Sequence, residues 1–430
     1  MTKTNTPFGK LHQNWPLEPL AEHVFFQGGP GLRKWQWTDS GMKVINVTNI
    51  LGDGSVDVSN TSRFISLDEF EHKYSHFAVE DGDIVVASSG NTYGKVGRIG
   101  RSHLPLMMNT SVIRFHPKRG SPLDHEYLYA FLRSHLFRNQ VESLVIGSAQ
   151  PNFGPAHLKQ MLIPVPPPPT QRKIAAILSA YDDLIENNLQ RIKILEEIAQ
   201  LIYHEWFGNF GFPGHENVKL VDSELGMIPG NWRLRRLGDM AHFVRGIEPG
   251  SKNYLDEPKG GTVPFIRVGD LGSRQSGLFI PEELAKGRFL DMHDIAVTLD
   301  GTVGIVQMGL TGAYSTGIRK VVVQDSEQLP WAYVYFLLKS ERIQGIIRSH
   351  TRGTTIQHAS SAIDHMTFVC PPTNLMRTFD SYASPLLRGM LNIMHRNAIL
   401  RHTRDPLLPK LISGELNVSG LDIDIGEEPE

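Results

Sequence analysis

The chain has 430 residues, of which 40% are hydrophobic and 20% charged, and its 43 basic and 45 acidic residues leave a formal net charge of −2. This length predicts two or three domains, and the near-neutral charge argues against a chain that binds nucleic acid through charge alone. Cys370 is the single cysteine and no apolar stretch predicts a signal peptide or a membrane span, so we expect a cytoplasmic protein without disulfides.

Segments of the first half of the chain recur in the second half in the same order. The string YLYAFLRS from Tyr127 recurs as YVYFLLKS from Tyr333, about 205 residues later. Four further matches are NWPLEPLAE from Asn14 with NWRLRRLGD from Asn231, KVINVTNI from Lys43 with PFIRVGDL from Pro264, GKVG from Gly94 with GTVG from Gly301, and GSAQPN from Gly147 with GTTIQH from Gly353. The common order indicates an internal repeat.

Each repeat predicts a module of short strands followed by an amphipathic helix. Expected strands are Val44–Val47, Ile84–Ala87, Ser111–Phe115, Ile295–Thr298 and Lys320–Val323. The helices are expected at Tyr127–Leu144 and Trp331–Arg348, with their tyrosines in the core rather than stacked on bases. Prolines at 164–169 and 371–372 end the modules.

A long helix is predicted from Gln171 to Phe207, because no glycine or proline interrupts this stretch. A helix of this length spans roughly 55 Å, too long to be covered by one module. A heptad seam from Leu178 to Trp206 has a counterpart from Ala383 to Leu411. We therefore expect two long helices that pair antiparallel, with a module at each end.

Each seam contains one asparagine, Asn188 in the first and Asn397 in the second. A polar pair in an apolar seam fixes register at a cost in stability, which makes these residues candidates for helix registry. The alternative, two solvent-facing asparagines, stays open. The second helix is expected to end or kink near Asp405, because Pro406 and Pro409 follow.

Four strings in this repeated framework resemble the specificity subunit of type I restriction-modification systems: IPVPPPPTQRKIAAILSAYDDLIENN from Ile163, EWFGNFGFPG from Glu205, SELGMIPGNW from Ser223 and VPFIRVGDL from Val263. The resemblance covers nearly the whole chain. It implies a mixed α/β (α+β) fold with two target-recognition domains joined by two antiparallel coiled-coil helices. Each domain would read one half of a split DNA target, and the helices would set the spacing.

The resemblance further implies a set of partners. These are double-stranded DNA, two methyltransferase (modification) subunits bound around this chain, and restriction/translocase subunits that join them for cleavage. S-adenosylmethionine, ATP and magnesium are expected on the partner subunits, and no cofactor on this chain. The second helix departs from the pattern of the first, having MRTF where QRKI stands.

The domains predicted on this basis are residues 1–169 for the first target-recognition domain and 170–208 for the first spacer helix. Residues 209–375 form the second target-recognition domain, and 376–412 the second spacer helix. The acidic tail at 413–430 is expected to be disordered. Non-identical modules predict an asymmetric two-part target, whose half-sites would lie about one helical turn, roughly 34–36 Å, apart.

Base contacts require forked donors and acceptors on exposed loops. The candidates in the first module are Ser89, Asn91, Thr92, Tyr93, Lys95, Ser148, Gln150 and Asn152. Those in the second are Arg267, Asp300, Thr302, Arg319, Lys320, Arg352, Thr354, Thr355 and Gln357. For any single residue, an ordinary turn bonded to its own backbone stays open.

Charged residues on the first long helix are candidates for partner binding, with a solvated helix face as the alternative. They are Arg172, Lys173, Asp182, Asp183 and Glu186.

The sequence has no convincing catalytic or metal-binding pattern, so we expect a non-catalytic chain without a metal site. GNTYGKV from Gly90 lacks the spacing of a phosphate-binding loop, and one cysteine provides no zinc-binding pattern. Two alternative functions remain. One is a coiled-coil adaptor that binds proteins and no DNA, and the other is the specificity chain of a related fused or phage-exclusion methylation system.

Overall fold

The computed structural model describes residues 4–6, 9–13, 15–52, 54–59, 61, 63–90, 93–145, 152–273, 276–353 and 357–425. The chain divides into two compact units. Unit 1 consists of Met1–Leu184 and Leu400–Glu430, and unit 2 of Ile185–Ile399. Each unit contains one module and a segment of each long helix, whereas the sequence predicted the helices as separate domains.

Unit 1 is built on a four-stranded antiparallel sheet. Its strands, in spatial order, are Val24–Gly28, Val112–Pro117, Ile84–Ala87 and Val96–Arg98. Smaller sheets pair Phe64–Ile65 and Met107–Met108 with Met42–Ile45, Leu17–Pro19 with Leu162–Pro164, and Thr4–Thr6 with Gly9–Leu11. The main helices of the module are His125–Arg133 and His135–Val145, and shorter ones span Leu20–His23, Leu67–Glu69, Phe70–Tyr74 (π) and Pro155–Leu158.

Unit 2 repeats this plan. Its central sheet has the order Ala241–Arg245, Ile318–Val323, Ile295–Thr298 and Val306–Gln307. In both central sheets the spatial order is the first, fourth, second and third of the four strands along the chain. A mixed sheet contains Phe279–Pro281, Thr262–Ile266, Gly312–Tyr314 and Phe289–Leu290, and pairs join Leu220–Ser223 with Gly226–Pro229, Arg233–Arg236 with Thr367–Cys370, and Asp300–Gly301 with Gln357–His358. Its module helices are Val268–Ser273, Trp331–Lys339 and Glu341–Ser349.

The helix expected as one element in each module is two helices, broken at a serine. Ser134 and Ser340 both have extended backbone, with ψ of 159° and 147°. The Ser340 hydroxyl accepts a hydrogen bond from Ile343 N and so caps the second helix. Serine side chains compete for backbone groups and favour such caps, which an apolar period does not reveal. Tyr127 and Tyr333 are buried in the cores, as expected.

The two long helices are Pro168–Tyr203, continued by a π-helix at His204–Gly208, and Thr373–Ile412. In unit 2 their segments run antiparallel, since Asn188 contacts Asn397 and Trp206 packs on Phe379. The Asn188 Nδ2 atom donates to Asn397 Oδ1 at 2.8 Å, and both side chains are buried. The mixed α/β fold with an internal repeat and antiparallel long helices is confirmed.

The second long helix does not end near Asp405, so that part of the prediction, which allowed either an end or a kink, is wrong. It continues through Pro406 and Pro409 to Ile412. A proline in a helix removes one N–H and leaves a carbonyl four residues earlier without its partner. These carbonyls belong to His402 and Asp405, which are exposed, so water can satisfy them.

Part of the acidic tail is ordered, contrary to prediction. Val418 is buried in the unit 1 core, and Lys173 Nζ donates to the carbonyl oxygens of Ser419 and Leu421 at 2.9 and 2.6 Å. His12 N donates to Ser413 O at 2.8 Å. The prediction of disorder rested on the acidic charge pattern, which does not show that Val418 has a core to pack against.

Candidate nucleic-acid interface

Several predicted base-reading residues of unit 1 meet at one edge of its central sheet. The strand register pairs Gly28 with Ile113 and Val112 with Ala87, so one end of each strand lies at this edge. The backbone of residues 88–89 then pairs with that of residues 152–153, through the bridge Ser89–Asn152 and the bond from Phe153 N to Ser88 O at 3.0 Å. We call residues 88–90, 93–95, 109–111 and 152–153 the loop edge of unit 1.

The same edge exists in unit 2. Thr298 pairs with Ile318, and Arg245 pairs with Arg319 on the other side of the strand. The backbone that follows pairs Asp300 with His358, and Ala359 N donates to Leu299 O at 2.7 Å. The loop edge of unit 2 comprises residues 245–246, 298–302, 315–319, 352–353 and 357–358.

Superimposing these pairings gives the residue correspondence between modules. Ser89 corresponds to Asp300 and Asn152 to His358, because each pair occupies the same bridge. Gly90 corresponds to Gly301, since both follow directly and have positive φ, 73° and 83°. The predicted match of Gly94 with Gly301 is therefore wrong by three residues, since Gly94 N and Gly304 N donate to the equivalent strand carbonyls of Ala87 and Thr298.

Some of the predicted DNA-contacting residues lie at the loop edges, and others lie outside the described residues. Ser89, Tyr93, Lys95 and Asn152 lie at the loop edge of unit 1, and Asp300, Thr302, Arg352 and Gln357 at that of unit 2. Outside the described residues lie Asn91, Thr92, Ser148, Gln150, Thr354 and Thr355. A role in DNA contact stays a prediction for all of them.

Arg319 and Lys320 are not on an exposed loop, so that part of the prediction is wrong. The Arg319 side chain is 6% exposed and donates to Asp300 Oδ2 at 3.1 Å and Ser360 Oγ at 2.7 Å. Burial lowers the pKa of Arg319, and the Asp300 charge opposes that shift. Lys320 donates to Asp294 Oδ2 at 2.6 Å. Both lie on a strand of the central sheet, where carboxylates of the same module neutralise them.

Arg267 is half exposed and lies at the start of the helix Val268–Ser273. Its backbone N–H donates to Asp270 Oδ2 at 2.9 Å, which caps that helix. Asn46 occupies the same position in unit 1, where its N–H donates to Asn49 Oδ1 at 2.8 Å. The cap therefore holds an asparagine in one module and an arginine in the other.

Sequence reasoning missed His358. Its imidazole is 62% exposed and its Nδ1 lies 2.8 Å from Asp300 Oδ1, while Arg319 holds the other oxygen of that carboxylate. The matched strings GSAQPN and GTTIQH already aligned Asn152 with His358, so the repeat contained the signal. Arg245, exposed at the same edge, was missed because it ends a strand whose pairing the sequence does not specify.

The predicted partner-binding residues also make contacts within the chain: Asp183 lies 4.0 Å from Arg98, and Glu186 accepts from Gln190 at 3.3 Å. Asp182 is 16% exposed and pairs with Arg133 at 2.5 Å and with Arg404. Lys173 donates hydrogen bonds to the carbonyl oxygens of Ser419 and Leu421 in the acidic tail. Asp183 and Glu186 are exposed, and Arg172 is half-buried. Partner binding stays a prediction.

The part of the chain that the structure describes contains no helix of the length and apolar character needed to cross a membrane. Within the same residues, the ligand atoms of Glu18, Glu22 and His23 lie within 4.8 Å of one another. The His23 ring nitrogens lie 2.5 Å from Glu18 Oε2 and 3.2 Å from Ser121 Oγ. Both ring nitrogens of His23 are therefore held by hydrogen bonds within the chain.

A family model described as the type I restriction modification DNA specificity domain matches residues 28–198 and 229–374. The chain belongs to this family. The two matched stretches contain the two loop edges, so the specificity domain occurs twice in the chain. The predicted role in DNA-sequence recognition is confirmed by this membership.

Relatives in the specificity-subunit family extend over most of the chain. The type I restriction enzyme MjaIX specificity subunit of Methanocaldococcus jannaschii is 27% identical over 429 residues, covering 97% of this chain and 96% of that protein. The HindI specificity subunit of Haemophilus influenzae is 21% identical over 316 residues, covering 59% and 68%. The crystal structure of the S subunit from M. genitalium is 19% identical, with coverage of 93% and 96% and a TM-score of 0.49.

Proposed function

We propose that this chain is the sequence-reading subunit of a type I restriction-modification complex, and that each loop edge reads one half of its DNA target. The observation that supports this proposal most directly is that one backbone arrangement occurs twice with different side chains. Asn152 in unit 1 and His358 in unit 2 stand at the same bridge. Such a duplicated scaffold presents two distinct sets of donors and acceptors, as a two-part target requires.

The target is expected to be asymmetric. Since the two edges carry different residues, their half-sites should differ in sequence rather than form a palindrome. The buried bond between Asn188 and Asn397 favours one register of the long helices. The helix register would then set the number of base pairs between the half-sites.

Partner subunits are proposed to bind the exposed face of the first long helix. Ile194, Ile198 and Leu201 are 53%, 42% and 67% exposed and repeat at helical spacing. Such an apolar stripe on a surface helix is typical of a protein interface. We assign it to the two methyltransferase subunits, which restriction/translocase subunits would join.

Catalysis is proposed to belong to those partners. S-adenosylmethionine, ATP and magnesium would be bound by them, and this chain would contribute recognition alone. The assembly would work in the cytoplasm, where the host DNA is.

A base-modification map of host DNA, with the gene intact and deleted, tests the proposal. Loss of one asymmetric two-part methylated motif on deletion is expected, and re-expression of the chain should restore it. An unchanged map in a strain that produces the partner methyltransferase would contradict the proposal and favour an adaptor without DNA binding.

A further inference from the structure

An exposed basic and aromatic turn lies beside the loop edge of unit 1. The 3-10 turn Lys34–Gln36 follows Arg33, and Trp35 in its centre is 77% exposed. None of the other large hydrophobic residues described as exposed reaches this fraction. Arg33 and Lys34 are exposed too, and within the described residues neither side chain has a hydrogen-bond or ion-pair partner.

The turn is held rigidly from below. Gln36 is 6% exposed, and its Oε1 accepts from Arg33 N at 2.7 Å. Its Nε2 donates to Glu69 Oε1 at 2.7 Å and to Tyr74 OH at 3.1 Å. The buried side chain thus fixes the backbone that presents Trp35, so the backbone loses little conformational entropy when the indole makes a contact.

A series of contacts connects the turn to the loop edge. The Arg63 guanidinium lies 5.4 Å from the centre of the Trp37 ring and donates to Asn46 Oδ1 at 3.2 Å. Asn109, a residue of the loop edge, donates to the same oxygen at 2.5 Å. Gly29 leads into the turn, and a Cβ there would collide with the Asn109 carbonyl. Side-chain contacts through Arg63 and Asn46 therefore join the turn to the loop edge.

Unit 2 has a corresponding turn at Ser251–Asn253. It begins five residues after Gly246, where a Cβ would collide with the Tyr314 carbonyl, as Lys34 follows Gly29 by five. Exposed Lys252 stands where unit 1 has Trp35, and Asn253 takes the place of Gln36. The Asn253 side chain donates to Pro249 O at 2.6 Å. One position thus carries a large aromatic in one module and a cation in the other.

We propose that the turn Arg33–Gln36 is a DNA-contacting element, in which Trp35 packs against the bases or sugars next to the first half-site while Arg33 and Lys34 contact phosphates. The inference rests on the proposed function, since it assumes that the loop edge of unit 1 faces duplex DNA. Two exposed cations beside an exposed indole complement DNA, because the cations can contact phosphates while the aromatic ring packs on sugars or bases. A protein partner is the competing occupant, because exposed tryptophan is also typical of protein interfaces.

The test uses the full chain co-purified with its methyltransferase subunit and a duplex containing the target found by methylation mapping. Trp35→Ala is expected to weaken binding about tenfold, within the range for one aromatic contact to a base, and Trp35→Phe to restore most of it. The salt dependence should stay unchanged. Arg33→Ala/Lys34→Ala should lower the slope of log K against log salt by about two, one for each lost phosphate contact.

The controls separate the possible failures. If wild-type complex does not prefer its target over random duplex, the proposed function fails. If wild type prefers it and Trp35→Ala binds equally well, the inference alone is overturned. Loss of the methyltransferase subunit from Trp35→Ala on size-exclusion chromatography, with unchanged DNA affinity of the remaining complex, would assign the turn to a protein partner and also overturn it. Tyr382→Ala, an exposed aromatic on the second long helix, is the matched surface control and should leave DNA affinity unchanged.

Discussion

The loop edges of the two units share a backbone and differ in chemistry. In unit 1 the bridge is made by Ser89 and Asn152, and both are neutral. In unit 2 the same bridge carries Asp300 and His358, and Arg319 neutralises the aspartate from inside the module. The two modules thus present the same backbone positions with different side chains, and under the proposed function these side chains decide which bases each edge reads.

The largest expected effect is on the stability of unit 2. Arg319→Ala leaves the Asp300 carboxylate, 15% exposed, without its buried partner. Breaking such a pair costs about 3–5 kcal/mol of unfolding free energy. Chemical denaturation of the chain should show this loss, and Arg352→Ala, which removes an exposed arginine of the same edge, should be close to wild type. An equal effect of both substitutions would contradict the structural role of Arg319.

Replacing either bridge residue by alanine should weaken the recognition of one half-site only. His358→Ala is expected to weaken binding to the second half-site by about 1–3 kcal/mol and leave the first half-site unaffected. Asn152→Ala should do the reverse. Competition binding with duplexes mutated in one half-site at a time measures both effects. Equal losses at both half-sites would show that the edges are not separate readers.

The asparagine pair offers a test of the spacing. Asn188→Leu alone should destabilise the helix pair by about 1–3 kcal/mol, because the Asn397 Oδ1 atom stays buried without the donor Asn188 Nδ2. The double replacement by leucine should be nearly neutral in stability. We expect it to relax the helix register, so that methylation mapping finds targets with more than one spacer length. A single unchanged spacer length would show that the pair does not set the register.

The smallest effect concerns an ion pair present in one module. Glu126 accepts from Arg98 at 2.7 Å, and the matching residue in unit 2 is Ala332. Burial raises the pKa of Glu126, but the His125 and Arg98 interactions outweigh it and place the pKa below 4.5. The pair therefore stabilises unit 1 at pH values above the ordinary pKa of glutamate. Its contribution is lost as the pH falls through the lowered pKa.

Because both partners are about one third exposed, Glu126→Gln should cost less than about 1 kcal/mol near neutral pH. The difference from wild type should vanish in the acid limb of denaturation curves measured against pH. Lys193→Gln, at the fully surface pair with Glu197, serves as the control and should change less. A larger loss of unfolding free energy at acid than at neutral pH would contradict the stabilising role of the pair.

The amino-acid sequence by itself determined the repeat, the two middle strands of each central sheet, the two long helices and the place of Asn188 and Asn397. These features depend on periodicity and on order along the chain, which are local and can be read directly. The resemblance to specificity subunits was also contained in short strings, and the family model matches two stretches of the chain.

Only the tertiary structure decided which polar residues meet at the loop edges. Arg319 is a forked donor in sequence, yet Asp300 and Ser360 bind it in the fold. His358, in contrast, is brought to the loop edge by its pairing with Asp300, a residue 58 positions away in the chain. The helix continues past Pro406 although proline has no N–H to donate, and Val418 is buried in the core of unit 1. Burial and pairing of this kind depend on residues distant in the chain, so no local pattern determines them.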